Sequence, residues 1–475
     1  MSAAAPAYRT GPILAVLLLA GASFALSQTM VLPALPVLSE ELDADPAATS
    51  WLLTAYLLTA SVATPIIGKL GDLHGKGRVM FYVLLTFSAG SVLCALADTI
   101  GLVIAGRAIQ GVAGGVFPLS FGIIRDTFPR ERVAGAIGMQ SAIFGIGGGI
   151  GLPLSGIIVD HGDVSLLFWL GLVALPAAVL ALRVIPPSAT IPHARVDWPG
   201  AALLSAALVS LLLGVTEAED WGWTSAPTVI LVAGGAALLL LWVRFEMGRP
   251  EPLVDIALLR RRAVAATNLC GFLVGFAMFS SFLLIPQFVQ APEVTGYGFD
   301  LTVTQAGLVL VPSALVQLAA GPVAGMLGTR LGFRITLAIG AGLAAISFTL
   351  LAFVHSSPVD FLVAGAFLGA GISFAFASMA NLIVAAVPPT VVGVATGINT
   401  ITRTVGGAFG SAAAVAILSS ATIAGSPLPT EGAYTAAFVM SACGSLLALA
   451  AALLTPPRAA SGPGAAVAAA PAGAR

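Results

Sequence analysis

Apolar runs of about 20 residues, each long enough to cross a hydrocarbon core near 30 Å as a helix, recur from residue 13 almost to the C-terminus. No other feature constrains the fold as tightly. In lipid every backbone N–H and C=O must be bonded internally, and a helix does this within one segment. Fourteen runs are read, at residues 13 to 35, 51 to 70, 79 to 97, 100 to 122, 133 to 158, 165 to 185, 200 to 216, 227 to 244, 264 to 289, 303 to 327, 334 to 354, 360 to 386, 391 to 420 and 434 to 455. The chain is therefore expected to be an all-α membrane protein. Its 9% charged residues and 58% hydrophobic residues agree, since a soluble domain carries roughly 25% charge.

Charge tests the parity of that count. With the N-terminus placed in the cytoplasm, 18 of the 20 basic residues fall in loops on one side, and the other two, Arg107 and Arg403, fall inside helices. The opposite loops contain none. One miscounted helix would scramble this distribution, so the positive-inside rule predicts 14 spans with both termini cytoplasmic. Of the 21 acids, 14 fall on the outside and seven on the inside, with none at a helix centre. All six tryptophans (Trp51, Trp169, Trp198, Trp221, Trp223 and Trp242) lie at or near span ends, where an aromatic belt is expected. The 18 Arg against 2 Lys, with abundant Ala, suggest a GC-rich bacterial gene and hence a multi-pass protein of the bacterial cytoplasmic membrane.

Several classes are disfavoured. Cys94, Cys270 and Cys443 lie in separate spans without CxxC spacing, and His74, His193 and His355 fall in separate loops, so no metal site is expected. There is no Walker sequence for direct ATP drive, no clustered acid and base for an enzyme, and no loop long enough for a soluble signalling domain. No cofactor and no nucleic-acid partner are expected. The tail 457–475, rich in Ala, Pro and Gly, is read as disordered.

The stretch PIIGKLGDLHGKGR, starting at Pro65, aligns with PVAGMLGTRLGFR, starting at Pro322, at a constant offset of 257. Pro65, Gly68, Leu70, Gly71 and Gly75 match Pro322, Gly325, Leu327, Gly328 and Gly332, while Asp72 faces Thr329. Repeated halves are common in transporters. An offset of 257 exceeds six helices, so helices 7 and 8 are read as an inserted pair. The expected organisation is 1–190 as an N-terminal six-helix half, 191–262 as the inserted pair and linker, and 263–456 as a C-terminal six-helix half.

The same residues resemble a known family. Gly68, Leu70, Gly71, Asp72, Gly75, Lys76 and Arg78 resemble the loop motif between the second and third helices of the major facilitator superfamily, with departures at Leu73 and Gly77. RAIQG, Arg107 to Gly111, resembles its helix 4 motif. GIGGGIGLPLSG, Gly145 to Gly156, resembles the helix 5 antiporter motif: Gly147, Gly151 and Gly156 fit, Pro153 is one place late, and Ser155 replaces a glycine. GINTITRTVGGAFG, Gly397 to Gly410, resembles the penultimate helix of the fourteen-helix drug:proton antiporters of the EmrB/QacA type. The resemblance implies the major facilitator fold, proton-coupled multidrug efflux, and a latch at Asp72 that favours the outward-open state. Helix 1 departs from the family pattern: LSQTMVLPALP has Ser27 where an acid is usual.

Intramembrane charge is expensive and marks function by default. Arg107 is expected in the outer third of helix 4, partly snorkelling, as a partner for a carboxylate or bound anion with support from Gln110 and packing at Gly111. Arg403, near the middle of helix 13, is expected to face a central cavity, where it could bind an anionic group. Polar residues in spans usually face the protein interior, which makes Ser27, Gln28, Asn268, Gln287, Gln317, Asn381, Asn399 and Arg403 the cavity candidates. Asp160 and His161, at the outer end of helix 5, are candidates for external proton uptake. The expected activity is export of lipophilic or cationic amphipathic compounds by alternating access of a monomer, with the proton gradient as energy source. An uncoupled facilitator, or an exporter of one metabolite, is the alternative.

Overall fold

The computed structural model describes residues 8–161, 163–188, 196–423, 426 and 428–456. The spans are α1 (Thr10–Thr29), α2 (Pro46–His74), α3 (Lys76–Ala95), α4 (Ile100–Thr127), α5 (130–161), α6 (Ser165–Val184), α7 (Trp198–Thr216), α8 (Ala226–Glu246), α9 (Arg262–Gln290), α10 (Val303–Leu331), α11 (Phe333–Phe353), α12 (Pro358–Ala386), α13 (Val392–Ser420) and α14 (Glu431–Leu454). Among the described residues, thirteen of these are each long and apolar enough to cross a membrane. The fourteenth, α5, breaks into Arg130–Ala142, a widened turn at Gly147–Gly151, and Leu152–His161. Pro153 explains the break: it has no N–H to bond the carbonyl a turn earlier, and glycines next to it tolerate the irregular backbone.

Each half surrounds its own apolar core. Tyr56, Phe87 and Phe117 anchor the first; Phe288, Phe348, Phe361 and Phe438 anchor the second. The first core continues without interruption into Ile383, Val384, Val387, Val392 and Ala395 of the second half, all near the end that bears the basic loops. The halves are thus sealed together at the basic end.

Two seams join the halves. Along α5 and α10 the glycines at 138 and 321 bring backbones together, so that a Cβ on Gly138 would clash with the carbonyl oxygen of Gly321, and Gly307 packs on Pro153 further along. Across α2 and α13 a Cβ on Gly68 would lie 2.7 Å from the carbonyl of Gly393. The inserted pair covers this second seam: Leu204 and Leu208 of α7 cluster with Val394, Ile398 and Ile401 of α13, beside Ile66 of α2. Ile230 and Leu240 of α8 remain exposed, as a lipid-facing helix requires.

Some boundaries and anchors differ from the sequence expectation. The second helix runs through Asp72 to His74, so Asp72 lies in its last turn, not in a loop, and the chain reverses at Gly75 alone. Trp242 is buried, donating to Glu246 Oε1 at 3.1 Å, and is an internal brace of α8 instead of an interfacial anchor. The tail 457–475 and part of the 191–262 linker, residues 191–195, lie outside the described residues.

Candidate functional site

A cavity of about 270 Å³ opens between the halves on the acidic-loop side of the Gly68–Gly393 contact. Its walls come from α1, α2, α4, α5, α7, α9, α10 and α13, and are mostly apolar: Phe24, Phe117, Phe144, Phe279 and Phe282 supply the aromatic faces. Hydroxyls of Thr54, Thr64 and Thr400 interrupt them. These polar groups come from helices whose backbones are already satisfied, which allows them to face the cavity without breaking the ladder.

Arg403 is the single charged residue of that lining among the described residues. Only 7% of it is exposed. Its guanidinium carbon lies 4.2 Å from the ring centre of Phe376 and 4.8 Å from that of Phe144, the latter from the opposite half. Two ring faces hold the cation by quadrupole attraction, which supports it without neutralising it.

The last turn of α2 and the first residue of α3 form a buried charge cluster with Asp126 of α4. Lys76 Nζ lies 3.3 Å from Asp72 Oδ1 and donates to Asp126 Oδ2 at 2.9 Å. Asp72 is 2% exposed, and neither of its oxygens accepts a hydrogen bond within the normal geometry. All three residues belong to the first half. Contacts across the basic end are made instead by Arg125, which donates to Val387 O at 3.0 Å, while Lys69 donates to Pro252 O of the linker at 3.2 Å. Gly71 sits against Leu119, Leu70 is half-buried, and Arg78 is exposed.

Arg107 corrects the expectation of a snorkelling side chain. It is fully buried and sits over the Tyr56 ring at 4.1 Å. It donates to Gln110 Oε1 at 2.8 Å, to Ser27 O at 3.0 Å and Oγ at 3.1 Å, and to Leu52 O at 3.0 Å. Gln110 passes the chain on to Ser91 Oγ at 2.8 Å. Every partner is neutral, so no carboxylate answers this arginine among the described residues. Gly111 lets α4 approach α2, its Cβ position lying 2.6 Å from Tyr56 O.

The glycines of α5 likewise work by close approach. Thr29 donates to Gly147 O at 2.6 Å, Gly151 packs on the same threonine, Ser155 donates to Met30 O, and Gly156 faces Thr304 of α10. Pro153 abuts Gly307. The side chains of Asp160 and His161 lie outside the described residues.

Of the eight polar cavity candidates, Gln28, Gln317 and Arg403 line the cavity. Ser27 belongs to the Arg107 cluster. Asn399 donates to Thr267 O and to Asn268 Oδ1 at 3.1 Å, so both asparagines brace α13 on α9. Asn381 bonds its own helix at Ala377 O, and Gln287 is exposed outside the lining. Four of these five lie outside the lining for one reason: a polar group in a span can be satisfied at a helix contact as well as at a cavity. The phenylalanines were missed because a Phe facing a cavity and a Phe facing lipid look alike in sequence.

A bundle of fourteen spans in two joined halves, with a cavity between them sealed at one end, defines a membrane transporter. The sequence matches the profile of the Major Facilitator Superfamily over residues 17–299 and 267–474, and the chain belongs to that family, in its drug:proton antiporter branch. It is 30% identical over 441 residues to the cephamycin export protein CmcT of Amycolatopsis lactamdurans, covering 90% of this chain and 88% of that protein. It is also 30% identical over 401 residues to the uncharacterized MFS-type transporter Rv1877 of Mycobacterium tuberculosis, covering 82% of this chain but 56% of that longer protein. The fold resembles the crystal structure of the human organic anion transporter MFSD10, with a TM-score of 0.67 at 16% identity, covering 93% of this chain and 99% of that one.

Proposed function

We propose that this protein exports amphipathic small molecules by alternating access, its two six-helix halves rocking about the cavity. The observation that carries the reading is the cavity itself: apolar and aromatic, placed between the halves, and closed on the basic side by the Gly68–Gly393 contact and the shared core around Val387. With the basic loops cytoplasmic in a bacterial inner membrane, this is an outward-facing arrangement. Relatives named for export of cephamycin and for multidrug resistance support the export direction. The Asp72–Lys76–Asp126 cluster, one turn from the Gly68 seal, acts as the latch that favours this state, and the protein works as a monomer.

Proton exchange is the energy source this branch implies. An uncoupled facilitator, or an exporter of one compound, is the second reading, favoured by one observation: no carboxylate lines the cavity among the described residues. Purified protein in proteoliposomes, given a panel of amphipaths under a pH gradient, separates them. Transport of several compounds, accelerated by the gradient, supports multidrug antiport. Indifference to the gradient removes antiport, and movement of one compound alone removes the multidrug reading.

A further inference from the structure

We propose that the cargo of this cavity is an amphipathic organic anion, its negative group bound to Arg403 and its apolar body among the phenylalanines, and that membrane voltage draws it outward. The proposal rests on the export reading above and names its substrate class.

Three observations lead to it. First, the guanidinium borders the cavity, is more than nine-tenths buried, and makes no hydrogen bond or ion pair with any described residue. A guanidinium carries five N–H donors, and leaving them unused at such depth is costly unless something else accepts them. Second, the lining is electrically one-sided: Arg403 is its only charge among the described residues, so a cation would meet repulsion and no counter-charge. Third, Gln28 and Gln317 also line the cavity, and neither side-chain amide makes a hydrogen bond with a described residue. They can donate to a second acceptor oxygen, while Phe279 and Phe282 offer apolar surface to a ring.

Arg107 is the internal control. It is fully buried and backed by one ring, yet its Nε and Nη1 donate to Ser27, Leu52 and Gln110, only Nη2 lacks a partner among the described residues, and it lies away from the cavity. A purely structural intramembrane arginine in this fold looks like that. Arg403 does not.

The position also suggests how occupancy is felt. Arg403 belongs to the second half and Phe144 to the first, so an anion that draws the guanidinium toward itself changes a contact between the halves. Voltage completes the argument. A monovalent anion leaving a cell that is negative inside by about 100 mV is favoured outward by about 50-fold, with no proton carrier required. The serine at position 27, where the family resemblance leads one to expect an acid, is no handicap to such a cargo.

The test uses the full chain and three radiolabelled probes with one ring system: 2-naphthylacetate, its neutral amide, and 2-naphthylethylammonium. Equilibrium binding should favour the anion over both others by at least ~10-fold, the value of one charge-assisted contact. Arg403→Gln should reduce that preference to within ~3-fold, and Arg403→Lys should keep part of it, because the charge stays while the planar fork stacked on the two rings is lost. In proteoliposomes a potassium diffusion potential alone should drive the naphthylacetate out of the negative compartment. Tighter binding of the cation or the amide, or an anion preference that survives Arg403→Gln, overturns the anion assignment and leaves export standing. Anion flux that ignores voltage overturns the electrical drive. If no probe binds or moves, this proposal falls, while the export reading stands or falls on the amphipath panel under a pH gradient.

Discussion

The turn between α2 and α3 and the turn between α10 and α11 are two copies of one device, and they have diverged in their chemistry alone. Gly75 and Gly332 both hold positive φ, at 94° and 91°, and each closes its helix with an N–H bond to the carbonyl four residues back, at Gly71 and Gly328. Gly68 and Gly325 both bring their helix against the other half, at Gly393 and Ala134. What differs is the filling. Beneath Gly71 lies Lys76 with two aspartates; the equivalent place beneath Gly328 is taken by the ring of Phe333. Thr329, in the place of Asp72, is exposed and bonds only its own helix at Met326 O. The backbone frame is therefore what the fold needs twice. The charge is what only one copy needs, which points to function.

Lys76→Met should have the largest effect. It removes the counter-charge from a carboxylate that is 2% exposed and has no hydrogen bond to replace it, which costs roughly 3–5 kcal/mol when one partner of a buried pair is deleted. A drop of many degrees in detergent Tm would be the sign, and Asp72→Asn in the same chain should recover a large part of it. Asp72→Asn alone leaves Lys76 paired with Asp126, so it should slow transport while binding persists. Equal loss of both would remove the latch.

The seams come next. Gly68→Val and Gly325→Val each push a branched side chain into facing backbone, an overpacking of about 1–3 kcal/mol that a close seam cannot relax. Both should cut transport by at least ~10-fold, since about 1.4 kcal/mol on the sealed state is already tenfold in its population. If Gly325→Val transports normally, the two seams are not equivalent. Smaller and equal losses are expected from Gly75→Ala and Gly332→Ala, about 1–2 kcal/mol each, because positive φ strains any residue with a Cβ. Thermal unfolding of the pair of variants measures the symmetry directly.

The fold could be read in the sequence because lipid leaves few options: apolar length gives spans, and the side on which Arg and Lys fall gives their parity. The repeat was legible because Gly75 and Gly332 are places that only glycine fills easily. The cavity was less so. In a soluble helix the apolar stripe names the buried face, but here lipid and core are both apolar, and helices such as α1 and α8 show almost no sidedness. Nothing in the spacing of Asn399 says that it bonds Asn268, or in that of Phe144 that it lies under Arg403. Arg403 was found because charge in a span is rare enough to stand out wherever it points. The depth of Asp72 was hidden because a helix that runs four residues past its last apolar run leaves no trace in hydropathy.

The smallest effect is the most discriminating one. Thr329→Asp restores to the second copy the acid it lacks, but not the burial, since position 329 is exposed and Phe333 stands where a lysine would be required. An exposed charge at the end of a helix, away from any partner, changes stability by no more than about 0.5 kcal/mol. Thr329→Asp should therefore leave Tm and transport nearly unchanged, while Thr329→Asp with Phe333→Lys should lose stability, because the ring beneath Gly328 is removed and no second aspartate waits: position 383, 257 residues after Asp126, is a fully buried isoleucine. If the double variant instead matched the parent in both measurements, the charge cluster would be portable, and the asymmetry between the two turns would reflect descent without function. Unfolding curves of the two variants, read beside those of Lys76→Met, decide between these accounts.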